Sequence, residues 1–185
     1  MSEIRTIEGI YLFDSSGKTI YSNYLEGFDK KVTSIVAFEN ALISRCKNDN
    51  KNETSGMFTL GPYIVGYKTQ ADVTYTLIAH DTENEEIVWD TLIHLVDAVL
   101  RTFKNSVSSA NLLAHYDLLL LCVDAIIDNG IIFDDDMYSI NKRISATSEG
   151  MTQPSQSKAS DLSSGPGVSS SVMNAAKGFM SKFFG

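Results

Sequence analysis

The chain has 185 residues, 43% hydrophobic and 21% charged, which is enough for one good core and too little for a second domain of ordinary size. Fifteen basic against twenty-three acidic side chains give a net charge of −8, and this argues against nucleic acid as a partner, because neutralising phosphate takes clustered Lys and Arg. Cys46 and Cys122 cannot supply a disulfide framework, no window reaches the 18 apolar residues of a membrane span, and the first residues lack a basic-then-apolar leader, so a cytoplasmic chain that does not cross a membrane is expected.

In chain order, Ile7 to Phe13 reads as a strand, Asp14-Ser15-Ser16-Gly17 as a turn, and Thr19 to Tyr24 as the hairpin partner. Residues 30 to 46 place Val32, Ile35, Val36, Phe38, Leu42 and Ile43 near 3.6-residue spacing and predict a first helix, ended by the polar run Asn48 to Asn52. Three strands follow: Met57 to Leu60, Tyr63 to Tyr67 after the Gly61-Pro62 turn, and Val73 to Ala79 after Gln70-Ala71-Asp72. Asn84 is placed to cap a second helix whose stripe is Val88, Leu92, Leu95, Val96, Val99 and Phe103, with Glu85 and Glu86 in the first turn, where the helix dipole favours acids. Ser108 or Ser109 caps a third, strongly apolar helix running through Leu112, Leu119, Val123 and Ile127 to the stop at Asn129-Gly130. The order β-β-α-β-β-β-α-α, with hairpin-length links between strands, predicts an α+β fold: a five-stranded antiparallel sheet, helix one on one face and helices two and three on the other.

Composition divides the chain into a body, residues 1–144, a linker, 145–171, and a terminal segment, 172–185. The body holds 12 basic and 21 acidic groups, whereas residues 145–185 hold 3 and 2. Ten serines with Pro154, Gly165, Pro166 and Gly167 leave the linker too little apolar surface to offset its ordering entropy, so a flexible, disordered segment is expected. Beyond it, Val172, Ala176, Phe179 and Phe183 fall on one helical stripe with Met173, Met180 and Phe184 beside them, and no acid occurs after Asp161. That pattern predicts an amphipathic helix that meets a membrane surface or a neighbouring protein.

The body shows no catalytic constellation. His80, His94 and His115 lack the paired spacing of a zinc site. His115 and Cys122 share a face if the third helix is continuous, but an apolar surround makes a thiol inert. Aligning Gly130 with a calcium loop's glycine puts Ala125 and Ile127 where the first acidic ligands belong, which removes that reading. Gly165-Pro166-Gly167 has neither the preceding strand nor the Lys-Ser/Thr pair of a phosphate loop. The expectation is a non-enzymatic protein with no metal, no cofactor and no small-molecule substrate.

The element order resembles the longin-like fold, and particular residues narrow the match. Asn111-Leu112-Leu113-Ala114-His115-Tyr116-Asp117, Val123-Asp124 and Ile126-Ile127-Asp128-Asn129-Gly130-Ile131-Ile132 are similar to the third helix and following turn of the coatomer zeta-subunit family, the small subunits of the COPI coat. Leu12-Phe13-Asp14 with Gly17-Lys18, Phe38-Glu39, Val65, Tyr67-Lys68 and Glu83-Asn84-Glu85 add weaker agreement, so that the resemblance covers residues 7–143. It implies a small subunit packed on a large coat subunit, coatomer gamma, in Golgi-to-ER and intra-Golgi transport, peripheral on Golgi and vesicle membranes. The sigma small subunits of clathrin adaptors and longin-type tethering or GTPase-regulating modules share the architecture and are the alternatives, since fold alone does not assign function. No residue is assigned to the large-subunit interface or to a cargo pocket.

Overall fold

The computed structural model describes residues 6–49, 53–132 and 137–152. Strands β1 (Ile7–Asp14) and β2 (Thr19–Tyr24) form the first hairpin. A short helix α1 (Phe28–Lys31) and the long α2 (Ile35–Asp49) lead to the meander β3 (Ser55–Leu60), β4 (Tyr63–Gln70) and β5 (Val73–His80). Helix α3 (Glu85–Thr102) is followed by α4 (Ser109–Ala114), α5 (Tyr116–Ile126), the ribbon β6 (Ile127–Asp128) and β7 (Ile131–Ile132), and α6 (Met137–Thr152).

All neighbours in the five-stranded sheet are antiparallel, in the order β2-β1-β5-β4-β3. Leu60 pairs with Tyr63 and Gln70 with Val73, so two-residue turns join β3 to β4 and β4 to β5, as the short links require. Because β2 and β3 lie on opposite edges, the connection that carries α2 crosses the sheet's full width and covers one face. The helices after β5 cover the other.

Alternation along the strands feeds two cores. Ile10 and Leu12 of β1, Ile64 of β4, and Val73, Tyr75, Leu77 and Ala79 of β5 pack with α3, α5 and α6. Tyr11, Phe13, Tyr63, Val65, Tyr67 and Ile78 point the other way, onto Phe28, Leu42 and Cys46. An antiparallel strand is buried on both sides only when helices lie on both faces, which is why β1 shows no polar alternation.

Three boundaries depart from the sequence reading. The first helix splits: Phe28–Lys31 forms one turn, and α2 starts at Ile35, where the Ser34 hydroxyl accepts from Ala37 N–H at 3.4 Å. The third helix breaks at His115, whose backbone leaves the helical region (φ −123°, ψ 51°) while its carbonyl accepts from Leu118 N–H at 3.1 Å. Leu112, Leu119 and Ile126 keep seven-residue spacing across the break, so periodicity did not register it. The residue-144 boundary also moves, since α6 continues to Thr152 and residues 145–152 belong to a helix rather than to the linker. Ile140 and Ile144 are buried against the core, and Arg143 donates to the Ala125 carbonyl at 2.7 Å, contacts that local composition does not report.

Candidate interaction surface

Local chemistry fixes the frame around the surface. The Asn84 side chain accepts from Glu86 N–H at 2.9 Å and starts α3, and Ser108, the first of the two serine candidates, accepts from Asn111 N–H at 3.1 Å and starts α4. Asp72, in the β4–β5 turn, takes the Ser109 N–H at 3.0 Å and hydroxyl at 2.5 Å, pinning α4 to the sheet's end. Asn129 and Gly130 turn with positive φ (48° and 82°), and the Gly130 carbonyl accepts from Thr6 and Ile7 N–H at 3.0 Å each, tying this ribbon to the start of β1.

These anchors present a mixed apolar and acidic face. Leu113 is 46% exposed and Tyr116 38%, two of several large apolar side chains left at the surface, as is ordinary for a folded chain. Tyr116, Leu120 and Asp124 follow one another at four-residue steps on α5, with Leu120 partly buried against the core, while Asp128 lies beyond the helix in β6. The Tyr116 ring meets Tyr21 of edge strand β2, centroids 6.3 Å apart, and the Asp124 charge acts on the same Tyr21 hydroxyl, so β2 and α5 adjoin here. Burial, and after it the Asp128 charge, raises the Asp124 carboxyl above its ordinary value. None of the ion pairs seen among the described residues involves Asp117, Asp124 or Asp128. Among the described residues, no three His, Cys, Asp or Glu side chains converge as metal ligands would.

On the opposite layer, a cleft of about 320 Å³ lies between α2 and the β3–β4 turn, lined by Val32, Ala37, Phe38, Leu60, Pro62 and Tyr63 among others. Val36 stands beside it, 64% exposed. Glu8, almost fully buried, receives both its hydrogen bonds from Lys31 Nζ at 2.7 and 2.8 Å, which holds α1 against the sheet.

The groups weighed as reactive are structural. Burial raises the Cys122 thiol to about 11, and its Sγ donates to Thr102 Oγ1 at 3.3 Å, while Cys46 is pushed up to about 12. His115 sits at the break between α4 and α5, so it and Cys122 do not share one helix. His80 Nδ1 hydrogen-bonds Thr82 Oγ1 at 2.9 Å and lies 3.0 Å from Asp81, a local arrangement at a strand end. No helix among the described residues is long and apolar enough to cross a membrane. Val172, Met173, Ala176, Phe179, Met180, Phe183 and Phe184, the predicted contact helix, lie outside the described residues. Sequence reasoning missed the α4–α5 face because the apolar run from Leu112 to Ile127 conceals which members point outward.

The described residues thus build a five-stranded antiparallel sheet between two helical layers. The chain belongs to the clathrin adaptor complex small chain family, whose sequence profile it matches over residues 6–150. Within that family the similar curated relatives are coatomer zeta subunits, as the residues of α4, α5 and the ribbon led us to expect. Coatomer subunit zeta-1 of Oryza sativa subsp. japonica is 28% identical over 146 residues, 79% of this chain and 82% of that protein. Coatomer subunit zeta of Saccharomyces cerevisiae is 26% identical over 76% and 77% of the two chains, and zeta-1 of Homo sapiens 26% over 78% and 79%. Among structures, a chain in a homology model of the full-length AP-3 complex in a stretched open conformation matches with a TM-score of 0.57 at 14% identity, covering 78% of this chain and 94% of that one, which shows the shared fold. The protein is thus a small subunit of the vesicle-coat and adaptor type, made to act within a hetero-oligomeric coat.

Proposed function

We propose that this chain is the zeta-type small subunit of a COPI coat, packing on coatomer gamma and working in Golgi-to-ER and intra-Golgi transport at the cytoplasmic face of Golgi and vesicle membranes. The observation that carries the reading is the similarity to coatomer zeta subunits, which spans most of both chains. The physical expectation agrees: a body with an exposed apolar face gains stability by burying it in a large interface. Residues 172–184 add a second contact, an amphipathic helix that meets the membrane or a neighbouring coat subunit with Phe179 and Phe183 on its apolar stripe.

The test is affinity purification of the full chain from cells of its source, followed by identification of stoichiometric partners. Recovery with coatomer gamma and the remaining coat subunits supports the assignment. Recovery with a clathrin-adaptor large chain replaces it with the sigma-type alternative, and recovery as a lone chain overturns it. For the terminal segment, Phe179→Asp with Phe183→Asp lowers flotation of assembled coat with liposomes, and unchanged flotation removes the membrane contact.

A further inference from the structure

We infer that Thr82, in the connection between β5 and α3, is a phosphorylation site for an acidophilic serine/threonine kinase, with Glu83, Glu85 and Glu86 as the element that the kinase reads. The inference stands apart from the coat assignment, because it uses only the chemistry of this connection.

Sequence and structure select the same hydroxyl independently. Of all the serines and threonines in the chain, Thr82 alone is followed by three carboxylates within four positions, at +1, +3 and +4, and no other has more than one there. A kinase with a basic substrate groove discriminates by charge of this kind. The acids by themselves would be a solvated surface; the hydroxyl they follow makes them a recognition element. Thr82 is exposed in the turn before the Asn84 cap of α3, and Glu85 and Glu86 are exposed in the helix's first turn. A kinase groove takes an extended segment, and helix ends are the part that frays. Thr69, which has Asp72 at +3, fails the second condition, since it is half-buried in β4 with its hydroxyl 3.0 Å from that of Thr74.

The step moves the γ-phosphoryl group of ATP to Thr82 Oγ1: the new O–P bond forms as the bond to the ADP leaving group breaks, and the hydroxyl proton passes to the kinase's base. The product adds a charge of about −1.5 to −2 at pH 7. Thr82 Oγ1 lies 2.9 Å from His80 Nδ1, so the phosphate forms beside this imidazole. The His80 ring meets Tyr63, centroids 6.4 Å apart, and Tyr63 lines the cleft between α2 and the β3–β4 turn. Modification of Thr82 therefore sets the charge at the rim of that cleft.

The experiment incubates the folded full chain with ATP and a purified acidophilic kinase of the casein-kinase class, and follows phosphopeptides by mass spectrometry. Phosphate is expected on Thr82, and a basophilic kinase is expected to leave Thr82 unmodified. Glu85→Gln with Glu86→Gln lowers the rate at Thr82 at least tenfold, with circular dichroism confirming a folded body. In the modified chain the His80 and Tyr63 ring resonances shift, whereas those of Phe103 and His115, which meet each other beyond the far end of α3, do not. The Thr82 peptide of the chain purified from its source cells, with phosphatases inhibited, carries the same phosphate. Phosphate only on other residues, reaction of Thr82 only in the unfolded chain, an undiminished rate in the glutamine pair, or an unmodified Thr82 in the cellular chain overturns the inference. Unmoved His80 and Tyr63 resonances overturn the link to the cleft.

Discussion

The two layers that enclose the sheet are built from different side chains and held differently. Toward α2 the core is aromatic: Phe28 stacks on Tyr24 at 4.8 Å and meets Phe38 and Tyr63 at 5.4 and 5.2 Å. Toward α3, α5 and α6 it is aliphatic, with Leu92, Leu95, Val96, Val99, Leu119 and Val123 at essentially zero exposure. Helix α2 contributes only Leu42 and Cys46 as buried residues, whereas α3 contributes seven, among them Val88, Leu92 and Leu95. The aromatic layer therefore depends on a few large contacts and the aliphatic layer on many smaller ones.

Substitutions that truncate one member of each layer test this contrast most strongly. Phe28→Ala removes the hub of the aromatic cluster and should cost about 3 to 5 kcal/mol, against about 2 to 5 for Leu95→Ala, both measured by urea unfolding. A cost below about 1 kcal/mol for Phe28→Ala would show that the aromatic layer does not depend on its hub.

Strand β1 joins the two layers. A Cβ added at Gly9 would come 2.7 Å from Tyr24 Cδ1, across the β1–β2 hairpin, and displace the ring that stacks on Phe28. Gly9→Ala should therefore destabilise by about 1 to 3 kcal/mol through overpacking. Gly9→Ala combined with Tyr24→Ala should cost less than the sum of the two, and strict additivity would refute the clash as the cause.

Each layer also contains one buried cysteine, which makes thiol labelling a layer-specific probe. Cys46 reports the α2 layer and Cys122 the α3–α5 layer, and the raised thiols, about 12 and 11, keep both unreactive at neutral pH while folded. Labelling should proceed through opening, with Cys46 modified at least tenfold faster than Cys122 once intrinsic reactivity is normalised. Equal rates would mean that the layers open as one unit.

The smallest effect is expected at Tyr75. Its hydroxyl is buried in the aliphatic layer and has no hydrogen-bond partner among the described residues. Tyr75→Phe removes an unpaired polar group and should leave stability unchanged or raise it by up to about 1 kcal/mol, read from the urea midpoint. A clear loss would point to a bound water at that position.

Much of this molecule is set by short-range rules that act within a few residues. Asn84 and Ser108 cap their helices because their side chains reach N–H groups two or three positions on, and Asn129-Gly130 adopts positive φ where the apolar run stops. The antiparallel hairpins follow from links of two to four residues, and the motif residues from Asn111 to Ile132 were the most specific part of the family resemblance. Tertiary structure alone decided the rest. The pairing of β1 with β5, some 65 residues apart, depends on which buried faces match, as does the register that lets Thr76 Oγ1 donate to the Tyr11 carbonyl at 2.7 Å. The break at His115 and the extension of α6 to Thr152 depend on long-range contacts, including Asp72 with Ser109 and Arg143 with Ala125. Exposure was hidden for the same reason: hydrophobicity says that Leu113 and Leu119 both avoid water, but only the packing of α4 and α5 against the rest of the fold determines that Leu119 is buried and Leu113 is left outside.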